Sequence, residues 1–542
     1  MARYNVKTIR PSTSSPVTTT GAVTANHLGG VGHLRDEKSE LFLLAVSNAG
    51  ANTFHESLQV RDNRYSALVR SLAVSDPEWT CGLLTWLRGP EGNMRTASVV
   101  GAAEFVKGRL ESNKNSADAT SGGGWNRKVV NAVLQRGDEP GEMLGYWTST
   151  YGRKLPKPLK RGVADAVRRL YTEYALLKYD TESHGFRFGD VIELVHPSAA
   201  KDRLWQGDLF RYAIDRRHKR DNPVPERLAM IRANKLFREQ VTADDFSSLL
   251  DHELLQRAGM TWEDSLSLAG SKVDKAKLWE AMIPSMGYMA LLRNLRNFEE
   301  ARISNGARDA VAARLSDLEQ VKRSRQFPFR FWSAFKHTNG LQYAGALEAA
   351  LTYSMLNIPE LPGRTLVLVD TSGSMTSPVL GDKSKITCVE AAALFGVAIA
   401  VRNPGRTHLV GFASGTFNHE INGGASMLRE VERFVNRVGE VGHGTEIHES
   451  IQARFRADVH DRIFIISDMQ TVGGRYGLGN GVVPAHTKVY GVNLGGYRTA
   501  AMSTGQGFWH ELGALTDATF KQVPLLERGQ DAAWPWLTAD AA

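Results

Sequence analysis

The stretch that decides the fold is residues 365–374, which read Thr365-Leu-Val-Leu-Val-Asp370-Thr-Ser-Gly-Ser374. A short apolar run that ends in a glycine- and serine-rich loop is typical of a strand buried on both faces. An alanine-rich helix is predicted next, from about Ile386 to Val401. Further apolar strands alternate with helical sequence at His408–Phe412, Ile463–Ile466 and Val489–Leu494. This alternation predicts a doubly wound, mostly parallel α/β domain over residues 361–542.

The loop after the first strand carries candidate metal ligands, because ligands of such sheets bind beyond the carboxyl ends of the strands. Asp370, Ser372 and Ser374 supply a carboxylate and two hydroxyls at alternate positions. Thr445, in a glycine-rich loop, and Asp468, at the end of another strand, are expected at the same edge. Oxygen ligands with room for water suit a hard divalent cation, so this set predicts a Mg²⁺ site. The alternative is a serine-rich turn that only caps a helix.

The sequence before residue 361 has a different pattern. From about Asp36 to Leu356 apolar residues recur at helical spacing without convincing β alternation, which predicts an array of helical repeats over residues 31–360. Ser75-Asp-Pro77 illustrates a helix start, with a capping residue followed by proline at the first helical position. Residues 1–30 are rich in Ser, Thr and Gly and are predicted to form a flexible N-terminal arm.

Composition excludes several classes of protein. The chain has 542 residues, of which 42% are hydrophobic and 23% charged, and this excludes disordered and collagen-like proteins. Its two cysteines, Cys81 and Cys388, are too few for a disulfide framework or a tetrahedral thiolate zinc site. The N-terminus lacks the apolar core of a secretory signal, and no stretch of about 18 apolar residues could span a bilayer. We therefore expect a cytoplasmic protein.

The net charge of +8 is concentrated in one part of the chain. Residues 151–240 hold 20 basic and 12 acidic side chains, whereas residues 364–542 hold 16 basic and 17 acidic ones. Such asymmetry indicates a polyanion-binding surface, although solvated helix faces would give the same count.

Several motifs resemble those of a known family. Residues 361–542 resemble a von Willebrand factor A domain, whose metal-ion-dependent adhesion site matches Asp370, Ser372, Ser374, Thr445 and Asp468. The preceding residues resemble the TROVE module of Ro RNA-binding proteins, through the stretches that begin at Arg64 (RYSALVR), Gly189 (GDVIELVHP), Ile283 (IPSMGYMALLRNLR) and Phe327 (FPFRFWSA).

The resemblance implies a fold and a function. It implies a monomeric ring of HEAT-like helical repeats closed by the A-type domain. Small structured Y RNA would bind an outer basic surface, and single-stranded ends of defective RNA would enter the central hole. Bacterial members act in RNA quality control together with the exonuclease polynucleotide phosphorylase.

Candidate RNA-binding residues come from both arguments. Lys154, Lys157, Lys160 and Arg161 form a compact basic run. Lys178 and His196 match RNA-contacting positions of the family, although His196 could equally cap a helix. After Lys178 the family has further basic residues where this chain has Asp180, Thr181 and Glu182. The footprint is therefore expected to shift toward a second basic run, Arg216, Arg217, Lys219 and Arg220.

Enzymatic activity is not expected. The sequence has no nucleophile elbow, P-loop or His-Glu-x-x-His motif. His443 and His448 flank Thr445, but their spacing across a glycine loop is not that of a helical ligand pair, and a third nitrogen or sulfur ligand is not evident. The alternative to RNA binding is a metal-dependent protein-binding adaptor in which the A-type domain holds an acidic partner residue.

Overall fold

The computed structural model describes residues 12–47, 52–112, 124–242, 246–338, 341–379, 385–422, 424–473, 478–513 and 515–537. A long helical region comes first. Its helices are α1 (Glu37–Val46), α2 (Leu58–Ser75), α3 (Pro77–Arg88), α4 (Arg95–Glu111), α5 (Gly124–Val133), α6 (Glu139–Tyr151), α7 (Lys157–Leu170), α8 (Glu173–Tyr179), α9 (Phe188–Val195), α10 (Leu204–Arg217), α11 (Ala229–Thr242), α12 (His252–Arg257), α13 (Trp262–Ala269), α14 (Lys275–Met282), α15 (Tyr288–Ala301), α16 (Asn305–Leu315), α17 (Leu318–Ser324), α18 (Pro328–His337) and α19 (Ala344–Tyr353).

An α/β region follows, joined by strands from the N-terminal segment. Its helices are α20 (Cys388–Arg402), α21 (Met427–Val435), α22 (Ile447–Arg454) and α23 (Gln522–Glu527). The strands are β1 (Thr13–Ser14), β2 (Thr19–Ala25), β3 (Val31–Arg35), β4 (Thr365–Asp370), β5 (Thr407–Phe412), β6 (Thr416–His419), β7 (Arg462–Ser467), β8 (Lys488–Asn493), β9 (Thr499–Ala500), β10 (Gln506–Gly507) and β11 (Trp509–Gly513).

The helices begin where the sequence predicts. The carboxylate of Asp76 accepts a hydrogen bond of 3.1 Å from the backbone N–H of Trp79, and Pro77 opens α3, as the capping pattern predicts. Helices close in sequence then pack against one another, for example α2 with α4, α5 with α7, and α9 with α10. A Cβ atom on Gly162 of α7 would lie 2.6 Å from Cβ of Val130 in α5, so only glycine permits this close approach. Of the helices described, none is both long and apolar enough to cross a membrane.

The main sheet is buried on both faces. Its strand order is β11-β8-β7-β4-β5-β6, parallel throughout except for the antiparallel edge strand β6. Alternate side chains of β4 enter two different cores. Val367 and Val369 pack on the side of α20, and Leu366 and Leu368 pack on the side of α22. The predicted doubly wound topology is therefore confirmed, with β4 at its centre.

The N-terminal arm is a correction to the sequence-based expectation. Residues 12–30 are not a free flexible arm, because β1 pairs with β10, and β2 and β3 form a sheet with β9. The imidazole of His510 hydrogen-bonds Thr13 (3.1 Å) and Ser15 (3.0 Å). Arg35 forms a fully buried ion pair with Glu511. Local sequence could not reveal these contacts, since the partner residues lie near the other end of the chain. Residues 1–11 of the predicted arm lie outside the described residues.

Both ends of the helical region contact the α/β region. Near its start, the guanidinium of Arg61 donates a hydrogen bond of 3.0 Å to the carbonyl of Gly495. Near its end, the carboxylate of Glu348 accepts from the backbone N–H groups of Met427 (2.6 Å) and Leu428 (3.1 Å), at the beginning of α21. The helical path also closes on itself, because the carbonyl of Arg325 accepts a hydrogen bond from Asn93. The chain therefore forms a closed circuit of helices completed by the α/β region.

Candidate functional site

The predicted metal ligands lie at the carboxyl edge of the main sheet. Asp370 ends β4, and Asp468 directly follows β7, its neighbouring strand. The hydroxyl oxygens of Ser372 and Ser374 are 3.3 Å apart. Gly373 donates a backbone hydrogen bond of 3.0 Å to the carbonyl of His443, which ties the serine loop to the loop of Thr445. All five predicted residues are buried and carried by loops that contact one another.

Hydrogen bonds hold these loops in place. The hydroxyl of Ser467 donates to Asp370 at 2.6 Å, and the backbone N–H of Ser372 donates to the same carboxylate at 2.8 Å. The carbonyl of Thr445 accepts from the backbone N–H of Val472 at 3.0 Å. Ser467, at the end of β7, thus orients the carboxylate of Asp370 at the end of the neighbouring strand β4.

The electrostatics of the cluster suit a cation. Burial, reinforced by repulsion from Asp468, raises the pKa of Asp370, and burial likewise raises the pKa of Asp468. Within the described residues neither carboxylate forms an ion pair, and one carboxylate oxygen of Asp468, Oδ2, is buried without a hydrogen-bond partner. Two carboxylates and three hydroxyls with an unused buried acceptor fit a hard divalent cation that keeps some water ligands. No group of three or more His, Cys, Asp or Glu residues that could hold a metal occurs among the described residues.

Sequence reasoning missed residues from the N-terminal segment that border this cluster. The backbone N–H of His27 donates to Gln470 at 3.0 Å, two residues after Asp468. The imidazole of His27 stacks on that of His55 with ring centroids 5.3 Å apart. The imidazole of His448 accepts a backbone hydrogen bond of 3.2 Å from Gly479.

Helix α7 presents a face of unpaired positive charge, which we call the α7 face, consisting of Lys157, Lys160, Arg161 and Arg168. The opposite side of α7 is buried and consists of Leu159, Gly162, Val163, Ala166 and Val167. None of the four side chains of the α7 face forms an ion pair with another described residue. Lys154 is exposed just before this helix.

The second basic run is different, because its charges are largely neutralised. Arg216 pairs with Asp180 (3.0 Å), and Arg217 pairs with Asp190 (2.7 Å). Arg220 pairs with Asp215 at 3.2 Å. Within the described residues only Lys219 of the predicted four has no ion pair. His196 is exposed and ends α9 in the left-handed conformation, with φ of 51°.

Asp180 is the centre of a buried ionic cluster. Its side chain is 1% exposed and accepts from Arg187 (2.7 Å) as well as from Arg216. The backbone N–H of Phe188 donates to it at 2.9 Å. The departure from the family pattern after Lys178 therefore has a structural role, since Asp180 fixes the turn between α8 and α9.

A large cleft lies among the helices. Its volume is about 870 Å³, and α8, α13, α15 and α17 contribute to its walls, together with Arg136 from the turn between α5 and α6. Basic side chains reach it from four of these segments: Arg136, Lys178, Arg293 and Arg323. Four aromatic rings line it as well: Tyr174, Tyr179, Trp262 and Tyr288. Glu263 is the only acidic residue lining this part of the described structure.

Of the residues predicted to bind RNA, Lys178 is one that lines this cleft. Its ammonium lies 5.6 Å from the ring centre of Tyr174 and 5.3 Å from that of Tyr179. The guanidinium of Arg136 lies 5.5 Å from the ring centre of Tyr179. Cations stacked on aromatic rings give a surface that can contact both a phosphate and a base.

Comparisons with known proteins agree with this architecture. Residues 152–346 match the TROVE domain. The chain is 26% identical over 305 residues to the RNA-binding protein RO60 of Caenorhabditis elegans, covering 45% of this chain and 46% of that protein. It is 24% identical over 416 residues to RNA-binding protein RO60 of Deinococcus radiodurans, covering 72% of both. It is also 39% identical over 98 residues to telomerase protein component 1 of Mus musculus, covering 18% of this chain and only 4% of that protein.

A solved structure shares the fold. The crystal structure of the Deinococcus radiodurans RO (RSR) protein aligns with a TM-score of 0.59 and 19% identity, covering 91% of this chain and all of that one. The predicted fold class and the predicted resemblance to TROVE-domain Ro proteins are confirmed. Assignment of the α/β region to the von Willebrand factor A family stays a prediction, as do the individual site residues.

Proposed function

We propose that this chain, which carries a TROVE domain and shares its fold with a Ro protein, is a non-catalytic RNA-binding protein. The observation that carries the proposal is the cleft, which four basic side chains and four aromatic rings line together. A single strand needs this combination, because cations neutralise its phosphates and rings stack on its bases without reading their sequence. Single-stranded 3′ ends are therefore the proposed ligands of the cleft.

The α7 face is proposed to bind a small structured RNA of the Y type. Duplex RNA is held mainly through phosphates and 2′-hydroxyls, so a rigid row of free cations is sufficient. Lys154 extends this row, and Lys178 lines the cleft. The same RNA could then contact the outside of the circuit while a neighbouring single strand enters the cleft.

The α/β region is proposed to hold Mg²⁺ through Asp370, Ser372, Ser374, Thr445 and Asp468. The unpartnered oxygen of Asp468 supports this assignment. A bound cation would neutralise the two buried carboxylates and offer an open coordination position to an oxygen ligand. A metal-dependent contact with a protein carboxylate, the adaptor alternative, would use this same position and is compatible with RNA binding by the helices.

The cellular role that follows is RNA quality control in the cytoplasm by a monomeric ring. A protein that holds the end of a defective RNA without cutting it needs a nuclease partner. An exonuclease of the polynucleotide phosphorylase type is the partner that the family resemblance suggests.

Competition between two RNAs tests the proposal. A stem with a single-stranded 3′ tail is expected to bind better than the same stem with a blunt end, and the preference should fall as salt rises. Replacing Lys178 and Arg293 with alanine should reduce the salt slope for the tailed RNA by about 1.4, or about 0.7 for each lost contact with a single strand.

Arg296→Ala is the matched control, because Arg296 lies on the same helix as Arg293 but pairs with Glu300 outside the cleft. Equal affinities of tailed and blunt RNA across the salt series would contradict the proposal.

A further inference from the structure

The four cations that line the cleft have different surroundings. Arg136 pairs with the carboxylate of Asp138, and the ammonium of Lys178 lies over two tyrosine rings. Arg293 and Arg323 also line the cleft, and both are exposed. Within the described part of the chain neither of these two has a carboxylate or an aromatic ring as partner. The uncompensated charge of the cleft is therefore concentrated at these two arginines.

The two arginines belong to helices that pack against each other. Arg293 lies on α15 and Arg323 lies on α17. The Nε–H group of Arg323 donates a hydrogen bond of 3.3 Å to the backbone carbonyl of Glu319, whereas the carboxylate of Glu319 pairs with Lys322 at 3.4 Å. The neighbouring lysine is therefore neutralised, while the arginine that faces the cleft keeps its charge and its terminal N–H groups.

A third arginine adds charge behind this pair. Arg330 is half-buried on α18, a helix that also packs against α15, and its guanidinium lies 5.9 Å from the ring centre of Phe329. Burial and the positive charge of Arg293 both lower the pKa of Arg330. Glu263, the acidic residue of the cleft lining, pairs with none of the three arginines in the described structure. We call Arg293, Arg323 and Arg330 the arginine wall.

A neutral donor accompanies the arginine wall. The side-chain oxygen of Gln320, which lines the cleft, accepts a hydrogen bond of 3.5 Å from Arg314. Arg314 is itself held by the backbone carbonyls of Ile283 (2.9 Å) and Met286 (2.7 Å). The amide nitrogen of Gln320 has no partner among the described residues, so it retains its capacity to donate. Unpaired cations that repel one another, together with a spare donor, favour the binding of an anion.

We propose that the arginine wall binds a terminal phosphate of the strand in the cleft, so that RNA ending in a 3′-phosphate binds better than RNA ending in a 3′-hydroxyl. A phosphate monoester carries about −1.5 to −2 charges near pH 7 and presents three acceptor oxygens, whereas an internal phosphodiester carries a single charge. Guanidinium groups bind phosphate oxygens in pairs, so several of them are matched best by the phosphate with the most free oxygens. This inference rests on the proposed binding of single-stranded 3′ ends in the cleft.

The direct test varies only the chemistry of the RNA end. A stem with a single-stranded tail of uridines is prepared with a 3′-hydroxyl or a 3′-phosphate, and the two compete for the protein in fluorescence anisotropy. We expect the 3′-phosphate to bind about tenfold better, the low end of what a hydrogen bond to a charged group contributes. Capping that phosphate as its methyl ester leaves a single charge and should remove most of the gain.

Two outcomes of this competition would overturn the proposal. One is equal affinity of the 3′-phosphate and 3′-hydroxyl tails. The other is an equal gain from a phosphate placed at the 5′ end of the stem, since that result would reflect total charge and not a site for the end of the tail.

Substitutions locate the phosphate on the arginine wall. Arg293→Gln and Arg323→Gln should each reduce the preference for the 3′-phosphate, and the double variant should abolish it. Arg330→Gln should reduce the preference less, because Arg330 is not among the residues that line the cleft. Arg293 and Arg323 are exposed, so the fold does not depend on burying them.

Arg296→Gln is the matched control. Arg296 lies on α15 with Arg293, but it pairs with Glu300 at 2.7 Å and is not among the residues that line the cleft. This variant should keep the full preference for the 3′-phosphate. A preference that persists in the double variant would overturn the assignment to the arginine wall, and so would an equal loss in Arg296→Gln.

A second probe separates this inference from the proposed function. Uridine 3′-monophosphate, observed by saturation-transfer NMR, should contact the wild type more strongly than uridine does, and this difference should be lost in the double variant. If this holds while tailed and blunt stems bind equally, the arginine wall stands and threading of single strands fails. If tails are preferred but neither the 3′-phosphate nor the nucleotide is, threading stands and the arginine wall fails.

Discussion

The α7 face and the second basic run, Arg216–Arg220, have similar sequences but different surroundings. On the α7 face the lysines and arginines are exposed or half-buried, and they are unpaired in the described structure. In the second run three arginines have carboxylate partners within 3.2 Å. Because a paired arginine must give up or share its partner to bind a phosphate, only the α7 face offers its full charge to RNA. The number of basic residues in a stretch of sequence therefore does not show how much of their charge is available to bind RNA.

The strongest test of this comparison removes the acid at its centre. Asp180→Ala leaves Arg187 and Arg216 without their common buried partner, and breaking a buried ion pair costs about 3–5 kcal/mol of stability. We expect a markedly lower thermal unfolding midpoint, followed by circular dichroism. Asp221→Ala, at an exposed position nearby, should leave the midpoint nearly unchanged. Equal midpoints for the two variants would show that Asp180 is not structural.

The next test removes the free charge. Replacing Lys157, Lys160 and Arg161 together with alanine should weaken the binding of a structured RNA. It should also reduce the slope of log affinity against log salt by about 2 to 3, since each lost phosphate contact removes about 0.7–0.9. Titrations over a salt series measure this slope. An unchanged slope would locate the structured RNA elsewhere on the molecule.

A smaller effect is expected in the second run. Arg217→Ala should change the affinity for structured RNA by less than about twofold, because Asp190 already neutralises this arginine and paired surface charges contribute little. Lys160→Ala serves as the comparison under the same conditions. A larger loss for Arg217→Ala than for Lys160→Ala would reverse the conclusion drawn from the ion pairs.

The smallest effect on RNA is expected from the α/β region. Asp370→Ala should abolish stabilisation by Mg²⁺, measured as a metal-dependent thermal shift, because it removes a carboxylate from the proposed site. RNA affinity should stay within about twofold of the wild type, since the proposed RNA contacts lie on the helices. The metal prediction fails if the wild-type protein shows no Mg²⁺-dependent thermal shift. The separation of metal binding from RNA binding fails if Asp370→Ala lowers RNA affinity by more than about twofold.

Much of the candidate metal cluster could be predicted from sequence. Asp370 and Asp468 each end an apolar run, and the carboxyl ends of parallel strands meet at one edge of a sheet, so two distant residues could be brought together by topology alone. The helical region could be recognised in the same way from its 3.6-residue spacing and its caps, such as Asp76 before Pro77. The sequence patterns predict four of the described strands, β4, β5, β7 and β8, and do not predict the others, which include β6 and β11 of the main sheet.

What the sequence determined by itself was the local structure: which stretches form helices, which form buried strands, and which loops carry oxygen ligands. These properties depend on residues a few positions apart, whose spacing is visible in the chain. Tertiary structure alone decided that Arg35 pairs with Glu511, that Asp180 neutralises Arg216, and that cations from three helices and one turn meet in one cleft. Such contacts join residues far apart in sequence, and their energies depend on burial and distance, which no local pattern of side chains records.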